Sequence, residues 1–108
     1  MNIPLNAKQV EILNATVQFY KEGDTYYFDT SLTAPPEPMI NAVIGLELLD
    51  ENKKLIMINH KIPMGLFPKI DAFFDYKIDE LEDGNVKITF TKKSNCIAQL
   101  DFDTNCKG

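Results

Sequence analysis

The chain of 108 residues contains no arginine, no tryptophan, a single histidine and two cysteines. All 11 basic residues are lysines, against 16 acidic residues, so the formal charge is −5. The absence of arginine excludes the bidentate arginine clamps that recognise phosphate and carboxylate groups. A negatively charged chain of this kind is also poorly suited to nucleic-acid backbones and base edges. We therefore expect no nucleic-acid partner.

Long apolar runs are missing as well. No stretch approaches the roughly 20 apolar residues that span a bilayer, and residues 1–4 do not open a basic region followed by an apolar one. We expect a cytoplasmic protein that binds no membrane, with Cys96 and Cys106 as reduced thiols. The two cysteines do not form a Cys-x-x-Cys pair, and two are too few for a disulfide scaffold.

What the sequence does contain is a proline-rich corner at residues 34–39, which reads Ala-Pro-Pro-Glu-Pro-Met. Pro35, Pro36 and Pro38 fix φ and remove three backbone donors, which predicts a rigid strand-to-helix corner. An apolar stripe at helical spacing follows from Ile40 to Leu49. Glu37 falls in the first turn, where a carboxylate complements the helix dipole.

The segment before the corner admits two interpretations. Val10, Leu13, Val17 and Tyr20 lie at helical spacing, whereas residues 16–20 alternate and are rich in β-forming residues. A turn-like stretch at residues 21–24 and a β-rich run then follow. We favour a hairpin with strands near Ile12–Tyr20 and Thr25–Asp29, and a helix is the alternative.

After the first helix, the continuous apolar run from Leu55 to Ile58 predicts a central strand. The second helix is marked by four apolar residues, Leu66, Ile70, Phe73 and Phe74. It is expected to begin near Met64 or Gly65, because Pro68 fits only within a first turn. Strands are predicted over Tyr76–Glu82, Val86–Thr91 and Cys96–Phe102, with a hairpin turn at residues 83–85.

The order of these elements predicts an α/β (α+β) two-layer sandwich, in which a mixed sheet carries two helices on one face. A β-α-β-α-β-β core is expected over residues 25–93. Residues 1–24 form an N-terminal extension, and residues 94–108 supply an extra strand and a polar tail. One compact domain is what a chain of this length supports.

The corner also resembles a known family. Asp29, Pro36, Glu37 and Pro38, followed by an amphipathic helix, resemble the TusA/SirA-like sulfur carriers, over roughly residues 25–93. The family motif places a reactive cysteine directly before Pro-x-Pro, and here that position is Pro35. The chain is therefore more similar to the uncharacterised SirA-like branch with a PPEP corner, often found beside hemerythrin-like domains.

That branch usually carries a histidine followed by prolines where the central strand ends, and His60-Lys61-Ile62-Pro63 is a loose match. Both this loop and the proline corner follow a strand and lead into a helix. If the two strands run parallel, the loops emerge at the same end of the sheet, where ligands often bind. The candidate binding residues are Asp29, Pro35, Pro36, Glu37, Pro38, His60 and Pro63.

We expect a non-enzymatic module, because Pro35 supplies no thiol and the prolines remove most donors of an anion site. It is expected to bind a small ligand or a protein as a monomer or homodimer, and no cofactor is expected. The resemblance implies a link to sulfur, redox or nitrogen-oxide metabolism, with a hemerythrin-like or redox protein as one partner it suggests.

Two alternatives stay open. Cys106, beside Lys107, would carry a persulfide if the carrier thiol has been relocated. Cys96 is in phase with Ala98 and Leu100 and is most simply a small buried hydrophobe. His60 would be a proton carrier or metal ligand, but no obvious set of ligand partners accompanies it in the sequence.

Overall fold

The computed structural model describes residues 3–93, which form six strands and two helices. The strands are β1 (Lys8–Val10), β2 (Phe19–Glu22), β3 (Thr25–Asp29), β4 (Lys54–Asn59), β5 (Phe74–Glu80) and β6 (Val86–Lys92). The helices are α1 (Glu37–Leu46) and α2 (Phe67–Ile70). In this part of the chain the strands form one mixed sheet in the order β1-β2-β3-β4-β6-β5. The predicted mixed sheet with two helices is confirmed.

One parallel pair lies at the centre of the sheet. Strands β3 and β4 run parallel and are joined through α1, with Asp29 opposite Ile58 near their carboxyl ends. All other neighbouring strands are antiparallel. Because parallel strands end at the same edge of a sheet, the proline corner and the segment after Asn59 leave the sheet side by side.

The main core lies on the face of the sheet that carries Phe28. A row of paired positions crosses five strands through Phe19, Phe28, Met57, Ile88 and Ile78. The first four of these side chains are at most 1% exposed, and Phe19 stacks on Phe28 at a centroid distance of 4.9 Å. Buried residues of both helices belong to the same cluster: Ala42, Leu46, Phe67 and Ile70.

A smaller apolar cluster lies on the opposite face. It consists of Ile3, Tyr27, Ile56 and Ile58, all buried. Ile3 precedes β1, so the N-terminal segment contributes to covering this face. Burial, assisted by the negative charge of Glu22, raises the pKa of the Tyr27 phenol above its ordinary value.

The helix interpretation of the N-terminal segment is wrong, and the favoured hairpin is present with different bounds. Strand β2 begins at Phe19 and pairs with β3, whereas Ile12 lies in a loop outside any strand. This loop includes Asn14 at a left-handed φ of 71°, which lies outside the β region of regular strands. Strand β1 pairs with β2 and was not predicted.

Helix α2 is much shorter than predicted. It begins at Phe67, two or three residues after the expected start, and ends at Ile70. Pro68 occupies its first turn, as its missing N–H requires. Phe73 lies in the turn that follows, and Phe74 opens strand β5.

The remaining elements differ by a few residues. Helix α1 begins at Glu37, before the apolar stripe, and β5 spans Phe74–Glu80 where Tyr76–Glu82 was expected. The predicted strand over Cys96–Phe102, and with it Cys106, lies outside the described residues. Within residues 3–93, no helix has the length and apolar character needed to cross a membrane.

Candidate functional site

The proline corner and the loop after β4 border a common pocket of about 410 Å³. From the corner, the lining residues are Pro35, Pro36, Pro38 and Met39. The other wall is the continuous segment of residues 59–65. A pocket of this size, with mostly apolar walls, lies in the range of small-molecule binding sites.

The corner presents few backbone donors to this pocket. Pro36 is the N-cap residue of α1 and Pro38 lies in its first turn, without any side-chain cap. The N–H of Glu37 donates to Ala34 O at 3.0 Å, and that of Ile40 donates to Pro36 O at 3.0 Å. The Pro35–Pro36 peptide bond is cis. The corner is thus an apolar wall, because its prolines lack N–H groups and the N–H groups of Glu37 and Ile40 are already paired.

Hydrogen bonds join the segment before the proline corner to the His60 loop. The N–H of Thr30 donates to Ile58 O at 2.8 Å, and its hydroxyl donates to Asn59 Oδ1 at 3.0 Å. Asn59 Nδ2 in turn donates to Lys61 O at 2.9 Å. Thr30 is fully buried and Asn59 is 2% exposed. These bonds join the start of the corner to the His60 loop inside the protein, where a lost partner is costly.

Asp29 does not line the pocket. Its Oδ1 accepts hydrogen bonds from the N–H of Ser31 at 2.8 Å and from the Ser31 hydroxyl at 2.6 Å. This is an Asx turn, which bends the chain as it leaves β3. Asp29 therefore shapes the entry to the proline corner.

Glu37 is likewise outside the pocket, because its side chain binds the loop before β2. Glu37 Oε1 accepts a hydrogen bond from the Thr16 hydroxyl at 3.1 Å. The buried Asn41 donates to the Thr16 hydroxyl at 2.7 Å and to Glu37 O at 2.9 Å, and its Oδ1 accepts from Thr16 N at 2.9 Å. This network ties the start of α1 to the N-terminal segment.

The polar side chains that line the pocket are Asn59, His60 and Lys61. His60 follows β4 directly, where the sequence predicted it, and both His60 and Lys61 are exposed. Among residues 3–93, no three His, Cys, Asp or Glu side chains are grouped as a metal site would require. The solvent side of the pocket therefore offers an imidazole and an ammonium group.

Five of the seven candidate residues come together at this pocket: Pro35, Pro36, Pro38, His60 and Pro63. Asp29 and Glu37 do not. The candidate residues did not include six others that line the pocket: Met39, Asn59, Lys61, Ile62, Met64 and Gly65. These residues are sequence neighbours of the predicted prolines and of His60, in loops that follow parallel strands. That proximity could have indicated them.

Comparison with known proteins adds no family assignment: no protein-family model, curated protein or solved structure matches the chain.

Proposed function

We propose that this protein is a non-enzymatic binding module whose pocket takes a small ligand with an apolar body and an anionic end. The observation that carries the proposal is the pocket of about 410 Å³ between the proline corner and the His60 loop. Prolines, methionines and Ile62 supply most of its walls. Burying an apolar ligand against them contributes about 25 cal/mol per Å² of apolar surface.

The charge preference comes from the solvent side of the pocket. The chain as a whole is acidic, yet the ionisable residues that line this pocket are His60 and Lys61. The carboxylates of Asp29 and Glu37 do not line the pocket. Asp29 accepts a hydrogen bond from Ser31, and Glu37 accepts one from Thr16. An anionic group of the ligand placed at the pocket mouth would meet Lys61, and among residues 3–93 no carboxylate lines the pocket beside it.

The proposal assigns no covalent chemistry to the corner. Pro35 occupies the position at which the TusA/SirA-like carriers hold their nucleophilic cysteine, and a proline side chain has no nucleophile. The buried bond from Thr30 to Asn59 joins the two segments behind the pocket, and a partly buried bond from Asn59 to Lys61 braces the His60 loop. Such bonds favour binding because less order must be created when the ligand enters.

For the architecture, we propose a two-layer sandwich of the SirA-like type, with both helices in one layer. Support comes from the β3-α1-β4-α2-β5-β6 order and from the helix residues that share the main core cluster, such as Leu46 and Ile70. We also propose that the protein acts in sulfur, redox or nitrogen-oxide metabolism, as the resemblance implies. There it would bind its ligand or a hemerythrin-like partner.

The test is fluorescence titration with 8-anilinonaphthalene-1-sulfonate, an apolar probe with one sulfonate. Gly65→Leu inserts a side chain into the pocket, so we expect the probe's Kd to rise at least about tenfold, or about 1.4 kcal/mol. Gly65→Ala is the matched control, because its Cβ would lie 3.6 Å from Met39 Cε, an ordinary contact. Lys61→Glu should weaken probe binding about threefold to tenfold through charge reversal.

Three controls make the result specific. Lys69→Glu changes the same charge on α2, outside the pocket lining, and should leave probe affinity unchanged. The neutral analogue N-phenyl-1-naphthylamine should bind Lys61→Glu and the parent equally. Cys106→Ser should bind like the parent, whereas a relocated persulfide carrier would lose its function with that change. Equal probe affinity for Gly65→Leu and the parent would refute binding in this pocket.

A further inference from the structure

Within residues 3–93, strand β5 forms one edge of the sheet. It spans seven residues and, in this part of the chain, pairs only with β6, while the opposite edge, β1, spans three. Lys93 N donates to Phe73 O and Leu81 N donates to Asn85 O at the two ends of the β5–β6 ladder. Because bonded and non-bonded pairs alternate in antiparallel ladders, Phe74, Tyr76 and Ile78 direct their backbone groups away from β6.

Exposed aromatic and charged side chains lie along this edge. Tyr76 is 39% exposed although its ring stacks on Phe67 at a centroid distance of 4.1 Å. Phe73, directly before the strand, is 56% exposed. Successive side chains of a strand point to opposite faces, so Asp75 and Lys77 lie on the face opposite Tyr76. Both are exposed. Natural proteins usually protect such an edge, since it offers unpaired N–H and C=O groups to another strand.

We propose that β5 pairs antiparallel with the β5 strand of a second copy of this chain, extending the sheet across a two-fold axis at Tyr76. In this register Phe74 lies opposite Ile78 of the second copy, and Asp75 lies opposite Lys77 of the second copy. The two-fold axis repeats both pairs. The dimer therefore contains two pairs of opposite charges on one face of the sheet. The apolar side chains of both copies meet on the other face, which carries the main core.

Other registers also place the core-side faces of the two β5 strands on the same side of the sheet. The charge and polarity of the facing side chains distinguish among these registers. An axis at Lys77 places Lys77 opposite itself and Asp75 opposite Asp79, which are like charges. An axis at Ile78 makes Lys77 and Asp79 complementary, but it places Tyr76 opposite Glu80. The axis at Tyr76 alone combines opposite charges with a continuous apolar row of Phe74, Tyr76 and Ile78.

The contact is small. Pairing over Phe74–Ile78 involves five residues per copy, fewer than the roughly 20–30 residues on each side of a standard protein interface. We therefore expect a reversible, concentration-dependent dimer. The ion pair between Lys93 and Asp75 has an N–O distance of 3.9 Å and is exposed, so its loss on dimerisation costs little.

Charge exchange in sedimentation equilibrium tests this interface on the full chain. Asp75→Lys or Lys77→Asp alone makes both facing pairs like-charged, and each should raise the dimer dissociation constant at least about tenfold. The double variant restores complementary pairs and should recover dimerisation. An equimolar mixture of the two single variants should form a heterodimer more tightly than either variant self-associates.

Each alternative result contradicts the proposal. A parent protein that stays monomeric at all soluble concentrations would overturn it. Dimers unaffected by the single changes would place the interface elsewhere. Weakened single variants without recovery in the double variant would reject the register at Tyr76, because that register predicts recovery. With an axis at Ile78, Lys77→Asp would place two acidic side chains opposite each other in the double variant as well. Circular dichroism of each variant verifies that these exposed substitutions leave the fold intact.

Discussion

Asn41 shows how one polar side chain joins two distant segments. It is fully buried on α1, and both ends of its amide are hydrogen-bonded, to Thr16 and to Glu37 O. Without it, Thr16 N would lose its acceptor on the helix, and only the bond from the Thr16 hydroxyl to Glu37 would still join this loop to α1. The amide therefore holds the N-terminal segment against the start of the proline corner.

Asn41→Ala should lower the free energy of unfolding by about 2–3 kcal/mol, because three partly buried hydrogen bonds are lost. Urea denaturation followed by circular dichroism measures the change. Asn52→Ala is the control, since Asn52 is exposed and its side chain makes no hydrogen bond to the described residues; its effect should stay within about 0.5 kcal/mol. Equal stability of Asn41→Ala and the parent would contradict this role.

Residue type predicted some of the site and not the rest. The prolines and His60 were identified because each imposes or permits a particular chemistry wherever it lies. Thr30 and Asn59 were not, because their importance arises from a bond between residues in two separate loops. A buried polar pair has no local sequence signature, since burial and partner both depend on the folded chain.

Among the elements, α1 is placed by close contact with the sheet. Gly45 is buried, and a Cβ added there would lie 2.9 Å from both Cδ atoms of Leu55 and 3.2 Å from Phe19 Cε2. Leu55 is itself fully buried and has little room to move. The glycine therefore allows the helix to approach β4.

Gly45→Ala tests whether the close packing of α1 on β4 requires a glycine. Two effects of the substitution oppose each other. A helical alanine gains about 1 kcal/mol over glycine, whereas overpacking a dense core costs about 1–3 kcal/mol. We expect net destabilisation of about 1 kcal/mol, measured by urea denaturation, with Val43→Ala on the exposed side of the helix as control. A variant more stable than the parent would show that Leu55 yields easily and that the close contact is not required.

Element type was easier to predict than element length. The stripe from Ile40 to Leu49 indicated α1, and the strands β4 and β6 followed from apolar runs and alternation. Helix α2 was overestimated because Phe73 and Phe74 continue the helical spacing of Ile70. The structure assigns Phe74 to β5, where pairing with β6 outweighs the local periodicity.

For the whole molecule, the parallel pairing of β3 and β4 connects fold to function. A strand, helix, strand order in one sheet brings the ends of both strands to the same edge, so the sequence already indicated that the two loops lie together. The sequence did not indicate how they enclose a pocket. That enclosure depends on Met39 and residues 59–65 meeting across the gap.

A ¹⁵N–¹H correlation spectrum of the labelled protein, titrated with 8-anilinonaphthalene-1-sulfonate, locates the ligand site residue by residue. If the ligand binds in the pocket, we expect saturable shift changes at the amides of Met39, His60, Lys61 and Gly65, which line it. The amides of β1, at the far edge of the sheet, should stay unchanged. Shift changes that leave the pocket amides unmoved and fall elsewhere would contradict the claim that this pocket binds ligands.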